Sequence, residues 1–112
     1  MRFRRALDRG NVTEGLSAAS ELDFVSLAEA LELTLLLSDG DLEKYNRAAL
    51  RWHVRFVEKT KNVDIRESQA ELALLTAIPA NALAAAALAE LLSRRRSCER
   101  IAEALVRWSR AA

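Results

Sequence analysis

Residues 42–59, LEKYNRAALRWHVRFVEK, carry the longest helical pattern in this chain, and their reading decides the fold. On a wheel at about 100° per residue, Tyr45, Ala48, Ala49, Trp52 and Phe56 share one apolar arc. Leu50, Val54 and Val57 make a second apolar arc, with Asn46 and His53 between the two. Lys44, Arg47, Arg51, Arg55 and Glu58 fill the remaining face. Read as a line, RWHVRF (51–56) looks like arginines interleaved with aromatics, the texture of a nucleic-acid contact. Read as a helix, it separates: Trp52 and Phe56 turn inward while Arg51 and Arg55 turn out. The pattern predicts a central helix packed on two sides, with His53 in its apolar sector.

The helix ends on either side are marked by capping chemistry. Asp41 offers the N-cap of the long helix, after SDGD (38–41) has closed the one before it. That preceding helix, LAEALELTLLLS, starts from an S-x-x-E capping box made by Ser26 and Glu29. Upstream, RFRRALDR (2–9) is stopped by Gly10, a natural C′ residue, and Asn11 caps a segment VTEGLSAASEL that reaches about Leu22. Downstream, KNV breaks the long helix, and Asp64 with Glu67 forms a D-x-x-E box for a helix over 65–78. Pro79 ends that helix and opens the next, which runs to about Arg95, and Ser97 caps a last helix, CERIAEALVRWSR. Seven helical segments with short links predict antiparallel or obliquely crossed neighbours. Helix starts near residues 12, 27, 42, 65, 81 and 98 admit a short stack of helical-hairpin repeats beside a compact bundle or orthogonal array.

Composition supports the all-α class. The 112 residues are 51% apolar and 29% charged, the balance of a folded globular chain rather than a disordered one. The bulk is Ala and Leu with Glu and Arg, all strong helix formers, while β-branched residues are sparse. This length suits one domain over 1–112 with a core that needs neither disulfides nor a metal. Seventeen basic against 16 acidic residues leave a net charge of +1, spread evenly along the chain. A non-specific polyanion binder carries a clear basic excess, so strong electrostatic adhesion to DNA or a membrane is not expected. The longest apolar run, ALAAAALA (82–89), is too short to span a bilayer. Cys98 is the only cysteine, and no secretory signal opens the chain, so a cytoplasmic protein is expected.

Few residues carry reactive chemistry. His53 is the only histidine, with no cysteine or carboxylate at metal-ligand spacing, so no metal is expected. Its plain reading is a buried neutral imidazole bonded to a carbonyl or carboxylate; the alternative is proton transfer. Arg47, Arg51 and Arg55 recur every four residues as an outward basic stripe, suited to solvent, an acidic protein surface or phosphate. Arg94, Arg95 and Arg96 complement a helix C-terminus or, with Arg100, offer a small anion site. Cys98 lies on an apolar seam with Ile101, Leu105 and Trp108 and reads as an inert packed thiol. No phosphate loop, carboxylate pair or Ser-His-Asp set is present, and no cofactor is expected.

Three resemblances bear on function. RAALRWH (47–53) resembles the R-x5-H spacing of the HEPN nuclease family; that likeness implies that Arg47 stabilises phosphate charge while His53 assists proton transfer on RNA. The family commonly has a polar residue directly after the arginine, where this chain has Ala48. QAELALLTAIPANALAAAAL (69–88) resembles a helix-turn-helix repressor motif, with Leu72, Ala73, Ile78 and Leu83 at its apolar positions. Its would-be recognition helix offers Asn81 alone to base edges that need several polar side chains. FRRALDRGN, VSLAEALEL and RAALRWHVRF resemble small all-helical proteins of actinobacterial type, which implies an all-α fold and carries no activity.

The helices at 27–38 and 80–95 are apolar around much of their circumference, so a chain this small leaves some of that surface uncovered. Together with the thin catalytic chemistry, this predicts a non-catalytic protein-interaction or adaptor module, binding a protein partner or a second copy. The alternative is a nucleic-acid-associated helical protein, an RNase or a regulator.

Overall fold

A computed structural model of the chain describes residues 2–11, 13, 15 and 25–111. Among these there are six α-helices and no strand: α1 (Arg2–Asp8), α2 (Leu27–Leu36), α3 (Leu42–Lys59), α4 (Ile65–Ala77), α5 (Leu83–Leu92) and α6 (Glu99–Ala111). Short 3-10 turns at Leu37–Asp39 and Arg96–Cys98 follow α2 and precede α6. The helical segment expected over 12–22 lies mostly outside the described residues.

The helix ends form where local side chains can satisfy orphan backbone groups. Ser26 Oγ accepts from the Glu29 N–H at 3.1 Å and donates to the Glu29 carboxylate at 3.0 Å. Asp41 caps α3 through the Lys44 N–H, and Asp64 caps α4 through the Glu67 N–H. Gly10 ends α1 at φ 69°, a left-handed angle that costs glycine little, so that the Asn11 N–H closes back on the Ala6 carbonyl at 2.9 Å.

Two boundaries differ from the sequence reading. Pro79 lies in the turn after α4 and does not open α5, whose first free N–H, on Leu83, is taken by Asn81 Oδ1 at 3.0 Å. Helix α5 stops at Leu92 because Arg95 takes an extended backbone, φ −108° and ψ 125°. The Arg94–Arg96 run therefore lies in the link beyond the helix, not in its last turn.

Each helix from α2 to α6 packs on its successor, and α6 returns to pack on α2. This closed ring separates a bundle from an open repeat stack, whose ends never meet. The Cα radius of gyration, 13.1 Å, matches the roughly 13 Å of a compact domain of this length. One core runs through the ring, from Leu31 and Leu35 through Tyr45, Trp52 and Phe56 to Leu75, Leu88, Ile101 and Leu105. Helix α1 sits outside it, with Phe3 and Leu7 packed against Val25, Leu33 and Leu36.

Helix α3 holds the ring by its aromatic face. Trp52 and Phe56 stack with centroids 5.3 Å apart. The Trp52 indole N–H donates to the Leu27 carbonyl of α2 at 2.8 Å, and the Tyr45 hydroxyl donates to the Leu75 carbonyl of α4. The second apolar arc behaves differently: Val57 is half-buried, but Leu50 and Val54 are 54% and 49% exposed. Its two neighbours, α2 and α4, both engage the face carrying Tyr45, Trp52, His53 and Phe56, and nothing described covers the far flank. Trp52→Phe removes a donor and buried area, and should cost about 1–3 kcal/mol in urea denaturation. Its exposed neighbour, changed as Arg51→Ala, should stay within about 0.5 kcal/mol of the parent.

Candidate functional site

The fold disperses the arginines. Arg47 and Arg51 remain exposed, Arg47 in a loose 3.7 Å pair with Glu43 one turn earlier. Arg55 is half-buried and donates to the Val25 carbonyl ahead of α2, so the expected outward stripe keeps only its first two members. Arg94 and Arg96 are exposed, whereas Arg95 turns back across the molecule. Its guanidinium donates to both Glu67 oxygens, at 2.7 and 2.6 Å, and to the carbonyls of Lys61 and Asn62 at 2.7 and 2.9 Å. This clasp fixes the α3–α4 turn, where Asn62 holds φ at 62°, and the Glu67 bond raises the Arg95 pKa further. Glu67 thus spends its carboxylate on Arg95, where a full capping box would return it to the helix start.

Arg100 lies elsewhere, in a cleft of about 300 Å³ between α1, α2 and α6. There Glu32 accepts from Arg4 at 2.7 Å and from Arg107 at 2.9 Å, and Glu29 and Glu103 complete a balanced set of charges. Arg95 and Arg100 are not gathered into one anion site.

His53 is buried, with Nε2 2.9 Å from Ser68 Oγ of α4 and Nδ1 without a partner among the described residues. Its partner is a hydroxyl, not the expected carbonyl or carboxylate. Burial lowers its pKa, which favours the neutral ring. Arg47 stands outside while His53 lies inside, so the fold does not bring the R-x5-H pair together. Cys98 is buried, and that burial pushes its thiol up, away from the reactive thiolate. Asn81, the polar group of the helix-turn-helix resemblance, is occupied in capping α5.

The residue that sequence reasoning missed is Glu71. It is 2% exposed, and neither carboxyl oxygen accepts a hydrogen bond among the described residues. Burial, reinforced by Glu67 and partly offset by Arg95, raises its pKa to about 7. One signal was available: Glu71 shares a helical face with Leu75 and Ile78, at i+4 and i+7, both buried. Among the described residues no group of three or more His, Cys, Asp or Glu side chains is placed to hold a metal. No helix among them is long and apolar enough to cross a membrane.

Large apolar side chains stay outside the core. Leu42, Leu50 and Val54 lie along one flank of α3 at multiples of four residues, and Ile65 and Leu83 at helix starts are 77% and 75% exposed. Of the two helices expected to have surplus apolar surface, α2 has every residue buried or half-buried, while α5 leaves Leu83, Ala86 and Ala87 exposed. No family model, curated protein or solved structure matches the chain at a significant level.

Glu71 sets a pH dependence whose sign follows from proton linkage. Its folded pKa, about 7, lies above the ordinary 4.5, so the folded state keeps a proton that the unfolded chain releases. Stability therefore falls as pH rises through that window, by about 3 kcal/mol in all. Glu71→Gln should flatten the slope between pH 5 and 8 and be the more stable protein at pH 8, as read by urea denaturation at both pH values.

Proposed function

We propose that this chain is a non-catalytic protein-interaction module that works in the cytoplasm by docking a protein partner or a second copy of itself. The observation that carries this reading is the uncovered flank of α3. Leu42, Leu50 and Val54 are 57%, 54% and 49% exposed along one flank of α3, where the other exposed large apolar residues, Ile65 and Leu83, stand singly at helix starts. Residues four apart form the ridges by which helices pack into grooves; this row reads Leu42, Asn46, Leu50 and Val54, apolar except at exposed Asn46, a ridge suited to another protein. Scattered apolar residues need no explanation, but a row of them along one helix does. The buried, raised thiol of Cys98 and the neutral, enclosed His53 offer little to a substrate, and the single cysteine suits a reducing compartment.

Affinity purification of the tagged protein from its host at physiological salt, with and without nuclease, tests the reading. The expected result is a stoichiometric protein that survives nuclease. It should disappear with the Leu50→Glu, Val54→Glu double variant, whose circular dichroism stays that of the parent because both side chains are exposed. Nucleic acid enriched without a protein partner would favour the alternative reading, with Arg47 and Arg51 as its contacts. A partner retained in full by the double variant would move the docking surface away from α3.

A further inference from the structure

Helices α5 and α6 form a hairpin, and along its outer side runs an open groove of about 630 Å³. Its floor is Ala86, Ala89, Ala102 and Val106, small enough for another helix to approach closely. Its rim is charged in a definite order. Glu90 and Glu103 lie toward the end where the α5–α6 link closes the hairpin, and Arg107 and Arg110 lie toward the other. Arg107 is held by Glu32 at 2.9 Å, but Glu90, Glu103 and Arg110 have no ion-pair partner among the described residues.

The geometry points to a second copy of this chain as the occupant, its α6 antiparallel to the first across a two-fold axis near Val106. Glu103 and Arg110 are seven residues apart, two turns, and so share one side of α6 about 10 Å from each other. Val106 lies close to their midpoint. An axis there places Glu103 opposite Arg110 of the second copy and Arg110 opposite its Glu103, which is the reciprocity an isologous interface requires. A parallel arrangement would set Glu103 against Glu103 and Arg110 against Arg110. The two hairpins then pack face to face as a four-helix bundle with the alanine floors and both Val106 side chains at its centre. The shared face is only about 20 Å long, the length of α6, so the buried area falls near or below the roughly 1,200 Å² lower bound of stable interfaces. The dimer is accordingly concentration-dependent and salt-sensitive.

This deepens the interaction-module reading by assigning an occupant to one face, separate from the α3 ridge. Sedimentation equilibrium of the purified chain should show the average mass rising from monomer toward dimer between about 10 µM and 1 mM. Glu103→Arg alone and Arg110→Glu alone should each weaken association at least about tenfold, because each sets like charges across the axis. Mixed one to one, the two single variants should associate again, since every cross-axis pair is then opposite in sign, and the double exchange should likewise recover. Both residues are exposed, so circular dichroism should be unchanged throughout. A chain that is still monomeric at 1 mM, single variants that associate like the parent, or a mixture that fails to recover would overturn the inference. If a partner is still captured through the α3 ridge in that event, the second-copy assignment falls while the interaction-module reading stands.

Discussion

Two side-chain hydrogen bonds leave one face of α3 in different directions, and the ring of helices depends on them. The Trp52 indole reaches the first residue of α2, and the Tyr45 hydroxyl reaches the last turn of α4. Both aromatics are buried, and a buried tyrosine or tryptophan needs a partner for its polar atom. Meeting that need with carbonyls of two different helices converts non-directional burial into a defined placement of both neighbours. Tyr45 also gives a close donor to a carbonyl whose i+4 position is Pro79, which has no N–H, and whose other donor is the Ile78 N–H at 3.4 Å. Burial raises the Tyr45 pKa, so the phenol remains a donor across the physiological range.

A second constraint acts through charge. Arg95 crosses from the α5–α6 link to the α3–α4 turn, and its bonds to Glu67, Lys61 and Asn62 hold two loops that share no sequence neighbourhood. Glu71, one turn beyond Glu67 on α4, lies inside this arrangement: it accepts no hydrogen bond from the described residues, and its protonated form is a donor toward the Glu67 carboxylate. The arginine is committed to Glu67, and only part of its field reaches Glu71, too little to offset burial. The clasp therefore stabilises the loops while the adjacent carboxyl works against the core as pH rises.

The parts of this fold legible in the sequence are those governed by neighbours within four residues. The caps at Ser26, Asp41 and Asp64, the stop at Gly10 and the inward turn of Trp52 and Phe56 all follow from local spacing. Tertiary partners decide the rest. Nothing near Arg95 in sequence shows that it leaves the helix to reach Glu67, and nothing near Arg55 shows its bond to Val25. Leu50 and Val54 look like core on a wheel because a wheel does not record which flanks have neighbours; α2 and α4 both meet the Trp52 side. Glu71 was missed for the converse reason, as a charged side chain after the polar run RESQ (66–69) whose burial is set by tertiary packing, near Arg95 and Cys98 of the α5–α6 link. The arginines and the histidine of RWHVRF prove to be two populations, one turned to solvent and one drawn into the ring.

The central claim is that α3, through its aromatic face, is the element on which the others close. Native-state hydrogen exchange tests it most directly. Amides from Ala49 to Phe56 should be among the slowest in the chain, exchanging only through global unfolding. If the α5–α6 hairpin stays protected after those α3 amides have exchanged, the hairpin is the organising unit and the account of α3 is contradicted.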